Sequence, residues 1–364
     1  MAFPKTDMNN TNKDYMPELK KRVKYTTFEI SDNDMQLYKV DPRSSVDYYE
    51  SLLLSIFNDD FNETIHFHND SDKVAILIEP IFDPITISVI KNFMYFMNPL
   101  GWNLLIIGFE GYKHRIYEVF PNCLFYKIAD SMITFDTNDI PILTPAKYNE
   151  MLMNVNFWKS IPYKQIALFD RDSIMLRMFP EYISSMFDYV GANEYNKMFL
   201  VQNKPYTCWF KNTFDHHAWS LGGISGGFSL RNRDAMIDCL TKINWEIIYS
   251  HKKMAYSNFA PIEEHEQLHI PATISSMYQN ENIFFINACE LLKKRIPDTV
   301  HRSFLAIETD YCLTTCVLHG WTKNNHSLSF AKDLVHNSKL SVFLDISEDE
   351  FEQQKGTLSS TPHY

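Results

Sequence analysis

Two carboxylates one residue apart, Asp170 and Asp172, follow directly on a short apolar run from Ile166 to Phe169. Side chains at i and i+2 of an extended chain point the same way, so both acids project from one side of a strand's tip. Paired hard oxygen donors suit Mg²⁺ or Mn²⁺ holding a phosphate-bearing ligand. In open α/β sheets the carboxyl end of a strand is where ligands bind. Other readings of the same residues stay open. Asp initiates turns and caps helices, so the pair could be turn chemistry alone. An apolar strand running into Asp-x-Asp also opens haloacid-dehalogenase-like phosphatases, in which the first Asp is a phosphoryl-accepting nucleophile.

The surrounding elements must decide. Lys73 to Glu79 is a continuous apolar run of the kind buried on both faces of a parallel sheet. A helix is expected from Pro84 to Phe96, a second buried strand from Trp102 to Gly108, a helix from Tyr112 to Phe120 and a strand from Cys123 to Ile128. Thr144-Pro145 combines a capping residue with proline at the first helical position, predicting a helix to about Trp158. Ile166 to Phe169 is then the fourth strand. This alternation indicates a mostly parallel sheet with helices on both faces. Upstream, Val46, Tyr49, Leu53 and Ile56 recur at helical spacing behind Ser45.

The 364 residues suggest one large domain or two smaller ones, and 45% hydrophobic residues suffice for a sizeable core. A formal charge of −11 argues against a nucleic-acid or anionic-membrane surface. The basic cluster Lys20-Lys21-Arg22-Val23-Lys24 reads as a solvated face. No apolar run is long enough to span a bilayer, and the first residues carry no signal-peptide core. Six cysteines without a framework suggest reduced thiols and a cytoplasmic protein.

Glycine is scarce, at ten residues, yet Gly222, Gly223, Gly226 and Gly227 crowd into one stretch ahead of a strand and a helix. Glycine serves where backbone must approach a ligand closely, so this stretch reads as a substrate-facing loop. His265-Glu266-Gln267-Leu268-His269 fits the zinc-protease pattern H-E-x-x-H. Pro271 discourages the helix that pattern needs, and no glycine-spaced third histidine follows, so the match reads as coincidence. His66 and His68 read as surface histidines. A helix is expected from about Asn280 to Lys294, a strand near Ser303 to Glu308, and a further apolar stretch ends at His319.

Several separated blocks occur in a distinctive order: KVAILIEPIFDP, KNFMYFMN, the stretch from ILTPAKYNE to FDRDSIML, FDYVGAN, SGGFSLRNRDAM, NENIFF and VLHGW. Together they resemble a domain-of-unknown-function family related to GT-A glycosyltransferases and met in bacteria, fungi and giant viruses. The resemblance runs from about Lys73 to Lys323, and GGFSLR following DYVGA is its most specific part. It implies that Asp170 and Asp172 form the DXD element, with His319 completing a site for Mn²⁺ or Mg²⁺. Glu79 and Pro80 would lie where the nucleotide base and ribose bind, and Phe169 and Arg171, beside the acids, would also contact the nucleotide sugar. Gly226 and Gly227 would shape the donor-sugar and acceptor pocket, and Trp321 or Lys323 would contact phosphate. Glu281 falls on the family's Asn-Glu-Asp block and becomes the candidate catalytic base. The block's second acid is Asn282 in this chain, so Glu263, Glu264 and Glu266 stay in view as substitutes, as do a retaining mechanism and a loss of turnover.

The resulting expectation is an α/β, GT-A-like (Rossmann-like) sheet in a single large domain, residues 73–330. It carries a polar N-terminal extension with one helix (1–72) and a partly disordered C-terminal tail (331–364). The implied activity is metal-dependent transfer of a sugar from a nucleoside-diphosphate donor, UDP-sugar favoured, to an acceptor hydroxyl on a glycan, protein or small molecule. The alternatives are a nucleotide-sugar-binding protein of the same fold without turnover, and the phosphatase. No nucleic-acid partner and no membrane span are expected. The location is the cytoplasm, or the host cytoplasm for a viral protein.

Overall fold

The computed structural model describes residues 45–61, 63–193, 200–201, 204–205, 224–248, 250, 281–297, 302, 304–307, 315–322 and 326–343. Helix α1 (Val46–Ile56) precedes β1 (Lys73–Ile78), α2 (Pro84–Met97), β2 (Asn103–Gly108), α3 (Lys113–Val119) and β3 (Leu124–Lys127). A small hairpin, β4 (Ile133–Phe135) and β5 (Pro141–Leu143), leads to α4 (Pro145–Leu152) and α5 (Val155–Ser160). Then come β6 (Gln165–Phe169), β7 (Ser173–Met175), α6 (Tyr182–Met186), β8 (Tyr189–Asn193), and the short pair β9 (Leu200–Val201) and β10 (Lys204–Pro205). The chain continues with β11 (Ile224–Asn232), α7 (Arg233–Lys242), α8 (Glu281–Leu291), β12 (Ala306–Ile307), β13 (Val317–His319) and α9 (Leu328–His336).

Nine strands form one mixed sheet in the order β3-β2-β1-β6-β11-β8-β12-β13-β7. The expected βαβ half is present, with β3, β2, β1 and β6 all parallel. β11 runs antiparallel to both β6 and β8, and β7 runs antiparallel to β13 at the far edge. The sheet is therefore mostly parallel and flanked by helices on both faces. Period-two alternation sorts the strand residues into two layers. Ala75, Leu77, Ala167, Phe169 and Phe228 pack with α1 and α2, while Val74, Ile76, Ile166, Leu168 and Tyr189 pack with α5, α7 and α8.

Local chemistry accounts for the helix starts. Asp83 accepts the Thr86 N–H at 2.9 Å ahead of Pro84, and Thr144 accepts the Lys147 N–H at 3.3 Å ahead of Pro145. The single helix expected from Thr144 to Trp158 is two, because Asn154 breaks it and caps α5 by accepting the Asn156 N–H at 2.9 Å. Both expected flanks contribute to the core: Tyr49, Leu52 and Leu53 of α1 and Phe330, Leu334 and Val335 of α9 are buried in the α2 layer. The packed unit thus reaches from α1 to residue 343, and the tail beyond lies outside the described residues. His68 is half-buried rather than a simple surface histidine. Its backbone is clasped by the Asn103 amide (2.8 and 3.0 Å), and its Nε2 lies 2.9 Å from the Asn98 carbonyl.

The outer edge of β7 is closed by a side chain. Buried Asn92 of α2 accepts the Met175 N–H at 2.7 Å and donates to the Met175 carbonyl at 2.9 Å, standing in for a tenth strand. Asn92→Leu strands both backbone groups, each worth about 1–3 kcal/mol when left unsatisfied. A clear fall in the urea midpoint is expected, and an unchanged midpoint would show that β7 is held without the amide.

Candidate functional site

The tip of β6 is the starting point. Phe169 faces the α2 layer and stacks on Phe93 with ring centroids 4.2 Å apart. It is core, not a nucleotide contact, because alternation turns it away from Asp170. The Asp170 N–H donates to the Gly227 carbonyl at 2.7 Å, and the Ser173 hydroxyl donates to the same oxygen at 3.0 Å. Gly226 and Gly227 lie where β11 loses register with β8, between Ser225 and Ser229. There the Gly227 carbonyl carries the β6–β11 register one residue further, to Asp170, while the pairing with β8 is interrupted.

The acids meet His319 through β-pairing. The register of β7 on β13 sets His319 opposite Ser173, so Asp172 falls beside the chain that follows His319. The Asp172 carbonyl accepts the Gly320 N–H at 2.8 Å and the Trp321 N–H at 3.3 Å, with Gly320 in the left-handed region at φ 70°. His319 Nε2 lies 3.3 Å from Asp172 Oδ1 and 3.7 Å from Asp170 Oδ2. One ligand atom from each of the three residues falls within 4.8 Å of the others. The remaining carboxylate oxygens are held by hydroxyls: Tyr148 donates to Asp170 Oδ1 at 3.3 Å, and Thr322 to Asp172 Oδ2 at 3.2 Å. Hydroxyls that orient the back of a carboxylate are the supporting contacts metal ligands commonly have.

Gly227 explains the position of the imidazole. A Cβ built on that residue would fall inside the His319 ring, so only glycine leaves room for it. Two carboxylates and one imidazole in a cradle cleared for the ring fit a small divalent cation with open coordination positions.

Beside the acids, Arg171 forms an ion pair with Asp83, the residue that caps α2. Glu79, one strand over at the end of β1, is half-buried, and its carboxyl is pushed up to about 7. Desolvation is the main cause, Asp170 and Asp83 add to it, and the Ile81 N–H and Arg171 oppose it. Pro80 is buried at the same strand end.

Glu281 opens α8 but is not offered to a cleft. It is 1% exposed, and the Arg231 guanidinium grips both its oxygens at 2.7 and 2.9 Å. Arg231 is itself fully buried among Trp158, Tyr189 and Phe285, with its guanidinium carbon 5.1–5.6 Å from their ring centroids. Asn282 accepts from Arg231 and from the Tyr189 hydroxyl, both at 3.3 Å. Trp321, expected at phosphate, is buried against Tyr49 in the core. Lys323, Gly222, Gly223, the alternative bases Glu263, Glu264 and Glu266, and the His265–His269 stretch lie outside the described residues. Sequence reasoning missed Tyr148, Thr322 and Asp83. Only Asp83 carries a local signal, as an aspartate directly ahead of proline and a helix.

Residues 131–322 match a family described as protein of unknown function, DUF5672. That match covers more than half of the 364 residues. The chain belongs to this family. The DUF5672 region contains Asp170, Asp172, Gly227, Glu281 and His319, whereas Glu79 lies ahead of it. Comparison with curated proteins gives no match. Among solved structures, apo mouse xyloside xylosyltransferase 1 is similar at 11% identity and a TM-score of 0.35, over 68% of this chain and 97% of that one. Among the described residues, no helix is long and apolar enough to cross a membrane.

Proposed function

We propose that this DUF5672 protein is a metal-dependent glycosyltransferase that moves a sugar from a nucleoside-diphosphate donor, UDP-sugar favoured, to an acceptor hydroxyl. The observation that carries this reading is the convergence of Asp170, Asp172 and His319 at the carboxyl end of the sheet, with Gly227 cleared for the imidazole. Asp170, Asp172 and His319 would hold Mn²⁺ or Mg²⁺. When bound, such an ion supplies charge neutralisation on the leaving diphosphate and a template for the donor. Glu79, one strand over, would face the nucleoside, and Gly226 and Gly227 would border the donor-sugar and acceptor pocket. Glu281 serves Arg231, which favours a positioning role over that of a base.

Asp172→Asn is the direct test. Sites of this kind complete the ion's shell with substrate phosphates, so metal and UDP should each raise the other's affinity by the same factor. Calorimetry of UDP binding with Mn²⁺ and with chelator should show strong synergy in the wild type and none in Asp172→Asn. Equal UDP affinity in both conditions for the wild-type protein would sink the metal-bridged donor site.

A second reading has its own support in the engaged Glu281 and the neutral Asn282: a nucleotide-sugar-binding protein without turnover. Prolonged incubation with UDP-sugars and Mn²⁺ separates the two. Slow release of free sugar supports the enzyme, and tight binding with no release supports the binding protein.

A further inference from the structure

We propose that Tyr148 is a positioning residue that fixes the carboxylate of Asp170 and connects the metal centre to the buried Arg231–Glu281 pair. The inference rests on the metal-centre reading above. Asp170 is the looser of the two acids, with its side chain 31% exposed against 12% for Asp172. Tyr148 donates to Oδ1 while Oδ2 faces His319, so the hydroxyl selects which oxygen is presented to the ligand space. Asp172 is treated in the same way by Thr322, so each acid has one oxygen directed inward and one held behind.

The support behind Tyr148 is continuous. Its neighbour Asn149 accepts the Glu281 backbone N–H at 3.1 Å, so one turn of α4 grips the tip of β6 and the start of α8 together. Glu281 in turn neutralises Arg231 on β11, the strand whose Gly227 carbonyl receives the Asp170 N–H. The Asp170 main chain is thus located by β11 and its side chain by α4, and Glu281 links those two elements. This arrangement gives the buried ion pair a role that does not require Glu281 to touch substrate.

Tyr148→Phe removes the hydroxyl and keeps the ring. Mn²⁺ binding to the full chain with saturating UDP, read from the free-Mn²⁺ electron paramagnetic resonance signal, should weaken about tenfold. The melting temperature without metal should stay near that of the wild type. In an Asp170→Ala background the same change should cost nothing, because the carboxylate it positions is gone. Wild-type Mn²⁺ affinity in Tyr148→Phe would overturn the proposal and leave the metal centre standing. A tenfold loss that persists in the Asp170→Ala background would also overturn it, since Tyr148 would then act elsewhere. Absence of Mn²⁺ binding in the wild type, with or without UDP, would remove the metal-centre reading and this inference with it.

Discussion

Gly227→Ala is expected to cost the protein its metal centre as completely as removing His319 does. The added methyl group has no space, because the His319 imidazole already fills it. That ring is 5% exposed and has little freedom to step aside. Relief must come from rotating His319 away from the acids or from shifting β11, and either one disassembles the site. A shift of β11 also moves the carbonyl that receives both the Asp170 N–H and the Ser173 hydroxyl. Overpacking of a buried site typically costs about 1–3 kcal/mol. The synergy between Mn²⁺ and UDP should vanish, and the denaturation midpoint should fall. Adding His319→Ala to Gly227→Ala should restore much of the lost stability without restoring metal binding, because it removes the atoms the methyl group strikes. Wild-type stability and Mn²⁺ affinity in the single variant would mean that the ring can yield.

Glu281→Gln is expected to act on stability before it acts on rate. The amide removes the charge that compensates Arg231 and turns an N–H₂ group toward a guanidinium that can only donate. Arg231 then sits uncompensated in an aromatic enclosure, and breaking a buried pair from one side costs about 3–5 kcal/mol. Urea denaturation should show the loss directly. Replacing both partners with apolar residues, Arg231→Met with Glu281→Leu, should recover much of it. A general base would behave differently: stability would hold while turnover fell by about two to four orders of magnitude. That second pattern would return Glu281 to catalysis.

Much of the scaffold was legible from residue order alone. The runs at Lys73, Asn103 and Gln165, each followed or preceded by a capped helix, place β1, β2 and β6 in a parallel sheet through local periodicity and end signals. The direction of the Asp170 side chain follows from alternation along β6, and so does the burial of Phe169, although Phe169 was expected to contact the nucleotide. The mixed half of the sheet was legible only in part: strands at β11 and β12 and the apolar stretch of β13 were expected, but not their order or direction in the sheet. β7, β12 and β13 are two or three residues long, too short for any periodicity. The insertion of β11 between β6 and β8 joins segments that are distant along the chain.

Residue order alone determined that there are two hard acids at a strand tip and a crowd of glycines downstream. Only the tertiary structure decided what they serve. Gly227 makes room for His319, Arg231 claims Glu281 across fifty positions, and Tyr148 reaches back to Asp170. Such contacts depend on which strands become neighbours. That choice minimises exposed apolar surface and unpaired backbone over the whole sheet, so no local stretch of sequence encodes it.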